Sequence, residues 1–158
     1  MTDADLSPVH DLSLRVHPNF PERGEVLAEK FRLFPAGCFV LETNGSIAGY
    51  CFSHPWIKGA VPALDALLGA LPTNPTSYYV HDLTLDAALR GQGQGRAVIP
   101  LLLKAAQSLG LSHLSLVAVN DRGPFWQAAG FSPTADGALQ AAARAKYDAG
   151  AVHMERGL

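Results

Sequence analysis

Ser77-Tyr78-Tyr79-Val80-His81-Asp82-Leu83-Thr84-Leu85, followed shortly by Arg90-Gly91-Gln92-Gly93-Gln94-Gly95-Arg96, is the stretch that decides the fold. The first run is rich in aromatic and β-branched residues and predicts a strand. The second has glycine at every other position and predicts a tight turn. Across 96–109, Val98, Leu101, Leu102, Ala105 and Leu109 recur at helical spacing. A strand, a glycine turn and a helix together make an anion-binding arrangement. Backbone N–H groups and the positive end of the helix dipole face one point. The spacing then excludes two common anions. A Walker A loop ends in Gly-Lys-Ser/Thr, whereas this one ends in Gly95-Arg96-Ala97. A dinucleotide fingerprint needs G-x-G-x-x-G inside an early βαβ unit, and neither condition holds.

Outward from this stretch, the chain alternates helices and strands. Toward the C-terminus, Leu111–Val119 predicts a strand, Asp121–Ala129 a short helix closed by Gly130, and Phe131 a short strand. A helix at 137–147 and a strand at 151–156 complete the chain. Toward the N-terminus, Leu6, Val9, Leu12 and Val16 predict a helix over 3–16, ended by Pro18. Pro21 opens a second helix over 21–33, with Val26, Leu27, Phe31 and Phe34 as its apolar stripe. Strands are expected at 37–43 and 46–54, joined by Asn44-Gly45, a type I′ hairpin signal. Counted from that turn, Cys38 and Cys51 fall opposite each other, so an oxidised sample is expected to join them. Segment 55–76 carries four prolines and a short helix expected at Leu64–Leu71. With His54 and Trp56, that helix is expected to form an apolar lid. The element order predicts one α/β or α+β domain over 1–158.

Composition narrows the function. At 158 residues the chain is long enough for a core without disulfide or metal staples. A net charge of −2 removes the electrostatic case for a dedicated nucleic-acid binder. No apolar run is long enough to span a membrane. The acidic start, Met1-Thr2-Asp3-Ala4-Asp5, lacks the basic-then-apolar pattern of a secretory leader, so a cytoplasmic protein is expected.

Arg90-Gly91-Gln92-Gly93-Gln94-Gly95 fits Arg-x-x-Gly-x-Gly. Asn120 and Phe125-Trp126-Gln127-Ala128-Ala129-Gly130-Phe131 follow, similar to an Asn…Phe-Tyr-x-x-x-Gly-Phe element. On these motifs the sequence resembles the GNAT superfamily of acyl-CoA-dependent N-acetyltransferases, with the matching core over about 77–131. The resemblance implies a mixed, mostly antiparallel sheet with helices on both faces and a parallel strand pair splayed at the cofactor site. It also implies acetyl-CoA as acyl donor, no metal, and an amine of a small molecule or peptide as acceptor. The family normally has a strand before its first helix. Were that strand missing, 37–43 would be an exposed edge, and a homodimer is one way to cover it.

By the same resemblance, the backbone of Leu83 and Leu85 pairs with the pantetheine arm, and the Leu83 amide serves as oxyanion donor. Amides from Gln92 through Gly93, Gln94, Gly95 and Arg96 to Ala97, with Gly91 in the turn and the Arg90 and Arg96 charges, hold the pyrophosphate. Asn120 hydrogen-bonds the pantetheine or caps the following helix. His81 matches a histidine of the arylalkylamine N-acetyltransferases. An imidazole titrates in the range a general base needs, and strand alternation puts His81 on the face of Tyr79, Leu83 and Leu85. Asp82 is expected on the opposite face unless a bulge rotates it. Trp126 replaces the tyrosine that protonates the departing thiolate in many members, and it walls the thioester site instead. Tyr79 and Tyr147 are the candidate substitute acids; without one, the thiolate leaves directly. The missing tyrosine also motivates an alternative, a non-catalytic acyl-CoA-binding or regulatory domain.

Overall fold

The computed structural model describes residues 1–158. Two antiparallel strands, β1 (Cys38–Thr43) and β2 (Ser46–Trp56), meet at the Asn44-Gly45 turn. Both turn residues are left-handed, with φ of 51° and 73°, as a type I′ turn requires. The outer register differs from the expected one. Leu41 faces Gly49 but Glu42 faces Ile47, so Ala48 is an extra residue on β2. Cys38 therefore lies opposite Phe52, and Cys51 lies opposite Phe39. A one-residue slip flips side chains to the other face. Cys38 joins the cluster of Val9, Leu12 and Phe31, whereas Cys51 joins that of Val80, Leu102 and Leu116. The expected crosslink is thus ruled out by a bulge the turn residues do not announce.

The sheet continues through β3 (Ser77–Leu85), β4 (His113–Ala118), β5 (Ser132–Pro133) and β6 (Val152–Gly157). Its order is β1-β2-β3-β4-β6-β5, antiparallel throughout except for the parallel β3–β4 pair. That pair joins only at Tyr78–Leu114, Tyr79–Ser115 and Val80–Leu116. Beyond Val80 and Leu116 the strands part. On one face, α1 (Leu6–Val16) and α2 (Gly24–Leu33) pack Val9, Leu12, Leu27 and Phe31 against Tyr50 and Phe52. On the other, α3 (Ile99–Ser108) packs Ile99, Leu102 and Ala106 against Val80, Leu114 and Leu116. Two further helices follow, α4 (Gly123–Ala128) and α5 (Gly137–Lys146).

Three expected helices are changed. The helix after the glycine turn opens as a 3₁₀ stretch over Gln94–Val98, and its buried stripe leaves Leu101 and Leu109 exposed. The second helix starts at Gly24 rather than Pro21, which leaves Glu22 in a loop and turned inward. No helix forms at Leu64–Leu71. Asp65 and Gly69 are left-handed there, and the Leu68 and Gly69 amides donate to the Glu29 carboxylate instead of to a helical carbonyl.

Candidate active site

The parting of β3 and β4 opens a cavity of about 840 Å³. One end is the glycine turn. Gly91 and Gly93 are left-handed, with φ of 77° and 79°. A Cβ on Gly95 would stand 3.3 Å from both Leu85 Cδ1 and Phe125 Cε2, so the turn is packed tightly on the strand and on α4. The amides of Gly91 through Gly95 donate to no protein acceptor, whereas Arg96 N donates to Gly93 O at 3.0 Å. The Gln92 side chain turns back to donate to Ala88 O at 2.8 Å. These features leave a concave array of free N–H groups beside Arg90 and Arg96.

The middle of the cavity is the free edge of β3. Asp86 N donates to Ala48 O, which fixes the alternation of the β2–β3 ladder. Thr84 and Asp82 then bond toward β2, so the N–H and C=O groups of Leu83 and Leu85 face the split. Arg90 Nε donates to Leu85 O from that side.

At the end of the cavity away from the glycine turn, β3 carries its own bulge. Phe52 pairs with Asp82 but Ser53 pairs with Val80, so His81 is the extra residue. The bulge overturns the simple alternation. His81 remains on the face of Tyr79 and Asp82 rotates onto it, while Leu83 and Leu85 take the other face. Two histidine–carboxylate groups result. His81 Nε2 lies 3.1 and 3.2 Å from the Glu22 carboxylate oxygens. Lys30 Nζ donates to Glu22 Oε1 at 3.1 Å, and its side chain is 1% exposed. Burial pushes the Glu22 carboxyl up, but His81 and Lys30 outweigh it and bring the group down to about 2. In the second group, Asp82 accepts from Tyr50 Oη at 2.6 Å and from Thr84 Oγ1 at 3.0 Å. The Thr84 proton is thereby used, so Thr84 Oγ1 accepts from His17 Nε2 at 2.6 Å. Burial lowers the His17 pKa, but Asp82 more than compensates, so it is raised overall.

Of the residues expected at the site, His81, Leu83, Leu85, Arg90, Gly91, Gly93, Gln94, Gly95, Arg96, Asn120, Trp126 and Tyr147 line this one cavity. Tyr79 lies buried behind it, and Gln92 and Ala97 stand outside its wall. Asn120 does not cap α4, whose N-cap is Arg122; it takes a left-handed turn with φ of 53°. The expected lid is reduced to Leu64, because His54 and Trp56 meet edge to face with each other instead, with ring centroids 5.3 Å apart. Burial pushes the Tyr147 hydroxyl up to about 12 and the Tyr79 hydroxyl well above its ordinary value.

Sequence reasoning missed Glu22, Lys30 and His17. A signal for Lys30 existed: it falls four residues after Val26, on the stripe that buries Leu27 and Phe31. A lysine on an apolar stripe calls for a buried anion.

Comparisons with known proteins agree with this geometry. The family model described as Acetyltransferase (GNAT) family matches residues 6–131, so the chain belongs to that family of acyltransferases. No curated protein gives a significant match to the sequence. Among solved structures, the loading GNATL domain of CurA from Lyngbya majuscula aligns with TM-score 0.78 at 16% identity, over 98% of this chain and 93% of that one. The ribosomal-protein-S18-alanine N-acetyltransferase from Escherichia coli aligns with TM-score 0.64 at 19% identity, covering 99% and 90%. Rv2747 from Mycobacterium tuberculosis, in complex with CoA, aligns with TM-score 0.65 at 16% identity, covering 98% and 95%. At such identities these likenesses establish the GNAT fold.

Proposed function

We propose that the protein transfers an acetyl group from acetyl-CoA to a primary amine of a small molecule or peptide. The observation that carries this reading is one continuous cavity, with free glycine-turn amides at one end and a histidine–carboxylate pair at the other. One structural neighbour is in complex with CoA, and another is named as the ribosomal-protein-S18-alanine N-acetyltransferase.

In this reading the Gly91–Gly95 amides and the arginine charges hold the pyrophosphate. Leu83 and Leu85 offer their free strand edge to the pantetheine amides. The amine nitrogen attacks the thioester carbon, and its proton passes to His81. The Leu83 N–H stabilises the oxyanion of the tetrahedral intermediate. The carbon–sulfur bond then breaks, and the sulfur leaves with the bonding pair. The Trp126 indole has no proton that titrates in this range, so the thiolate takes one from Tyr147 or departs as the anion.

The same Trp126 favours the second reading, a non-catalytic acyl-CoA-binding domain. A thiol-release assay separates the two. Acetyl-CoA is supplied with an arylalkylamine, a polyamine, an amino-acid ester and short peptides with free N-termini, and amine acetylation is read by mass spectrometry. Turnover of any amine supports transfer. CoA binding with no acetylated amine supports the second reading.

A further inference from the structure

Glu22 is built into the fold more firmly than a surface loop residue needs. Its carbonyl bonds His10 Nε2 at 3.1 Å. Its carboxylate takes Lys30 Nζ, the Asp65 amide at 3.3 Å and His81 Nε2. The side chain is 4% exposed, and that of His81 is 1% exposed. On the far side of the imidazole, Nδ1 is buried and has no protein partner.

An ionised carboxylate has no proton to give, so any hydrogen between Glu22 and His81 belongs to Nε2. A neutral imidazole with hydrogen on Nε2 carries its lone pair on Nδ1. Lys30 matters because, without its charge, the proton could settle on the carboxyl and leave Nε2 as the acceptor. We propose that Glu22, paired with Lys30, is a positioning residue for His81: it fixes the tautomer with hydrogen on Nε2 and leaves the lone pair on Nδ1, the form in which the imidazole can accept a proton. This inference rests on the acyl-transfer reading and adds the group that sets its base.

The other titratable groups around His81 do not compete for that role. His54 of β2 stacks 6.1 Å away, and burial brings it down to about 3, so it stays neutral. Tyr79 of β3 stacks 6.2 Å away with its hydroxyl protonated. Tyr147 is likewise protonated, and Asp82 is occupied by Tyr50 and Thr84.

The test is long-range proton–nitrogen correlation NMR of the histidine rings, with pH raised until the His81 signals are those of the neutral ring, and with His81 assigned through His81→Gln. Glu22→Gln alone would strand the Lys30 charge, so the variant used is Glu22→Gln with Lys30→Met. Glu22→Asp keeps the carboxylate as a conservative control. Wild type should show hydrogen on Nε2 only, the double variant a mixture of tautomers, and Glu22→Asp the wild-type pattern. With the best amine of the panel above, the double variant should lose about tenfold or more in kcat, up to the roughly 10²–10⁴-fold of a lost general base, with KM for acetyl-CoA unchanged. Hydrogen on Nδ1 in wild type, or an unchanged tautomer in the double variant, overturns the proposal even if the double variant is inactive. Should the double variant not fold, the wild-type tautomer and Glu22→Asp still decide. The expected tautomer with no acetyl-CoA effect on wild-type melting would instead sink the acyl-transfer reading, and with it the catalytic purpose of the pair.

Discussion

His81 Nε2 stands 3.1 Å from Glu22 Oε1 although 59 residues separate the two in sequence. The contact joins the loop before α2 to the bulge in β3. It ties the His81 end of the cavity to the helix layer.

Replacing His81 with alanine should lower kcat/KM by about 10²–10⁴-fold, the usual range for a general base. Acetyl-CoA binding should be retained, because His81 lies at the far end of the cavity from the glycine turn. Steady-state kinetics beside a melting shift checks both. A variant as fast as wild type would remove His81 from the reaction.

Replacing Lys30 with alanine leaves Glu22 buried without its lysine. Breaking a buried ion pair from one side costs about 3–5 kcal/mol. Urea unfolding should show this as a lower midpoint with the slope unchanged. A midpoint equal to wild type would mean the pair contributes nothing net.

Acid should unfold the protein partly through Glu22. Its carboxyl falls from an ordinary 4.5 to about 2 in the fold. A group with a depressed folded pKa stabilises the fold fully above its unfolded value and loses that contribution as pH falls through its folded value. The Glu22 contribution therefore fades from about pH 4.5 down to about 2. Urea midpoints taken near pH 6 and near pH 3 should fall further for wild type than for Glu22→Gln with Lys30→Met. Equal falls would contradict the assignment.

Gly93→Ala places a Cβ on a left-handed residue with no neighbour to clash with. Only backbone strain of about 1–2 kcal/mol is introduced. The apo melting temperature should fall by a few degrees, and the acetyl-CoA melting shift measured from that lower baseline should shrink. An undiminished shift would mean the anion is not held by this turn.

Oxidation should give no Cys38–Cys51 bridge. A disulfide needs Cβ atoms about 4 Å apart with converging vectors, and these two side chains point to opposite faces of the sheet. Peptide mapping of an oxidised sample that finds the crosslink would refute the Ala48 bulge.

Much of the fold was legible because periodicity and turn chemistry act locally. Asn44-Gly45, the strand at 77–85 and the glycine turn each announce themselves within a few residues. The bulges do not. Ala48 and His81 are inserted by pairing across strands, and nothing in their neighbours marks the extra residue. That is why the cysteine register and the faces of Asp82 and Leu83 came out differently. The Leu64–Leu71 segment had helical spacing, but Glu29 from another element claims its amides. The glycine-turn end of the site was visible as a contiguous motif. The His81 end draws on His17, Glu22 and Lys30, each far from His81 in sequence, so only the tertiary structure assembles it.

The split between β3 and β4 is proposed as an acyl-CoA site. Thermal melting of the wild-type protein with acetyl-CoA, CoA, NADH and ATP in parallel is the first check, since binding to the native state alone must raise stability. A rise with acetyl-CoA and CoA and none with NADH is expected. No rise with either CoA species, or a larger one with NADH or ATP, would contradict it.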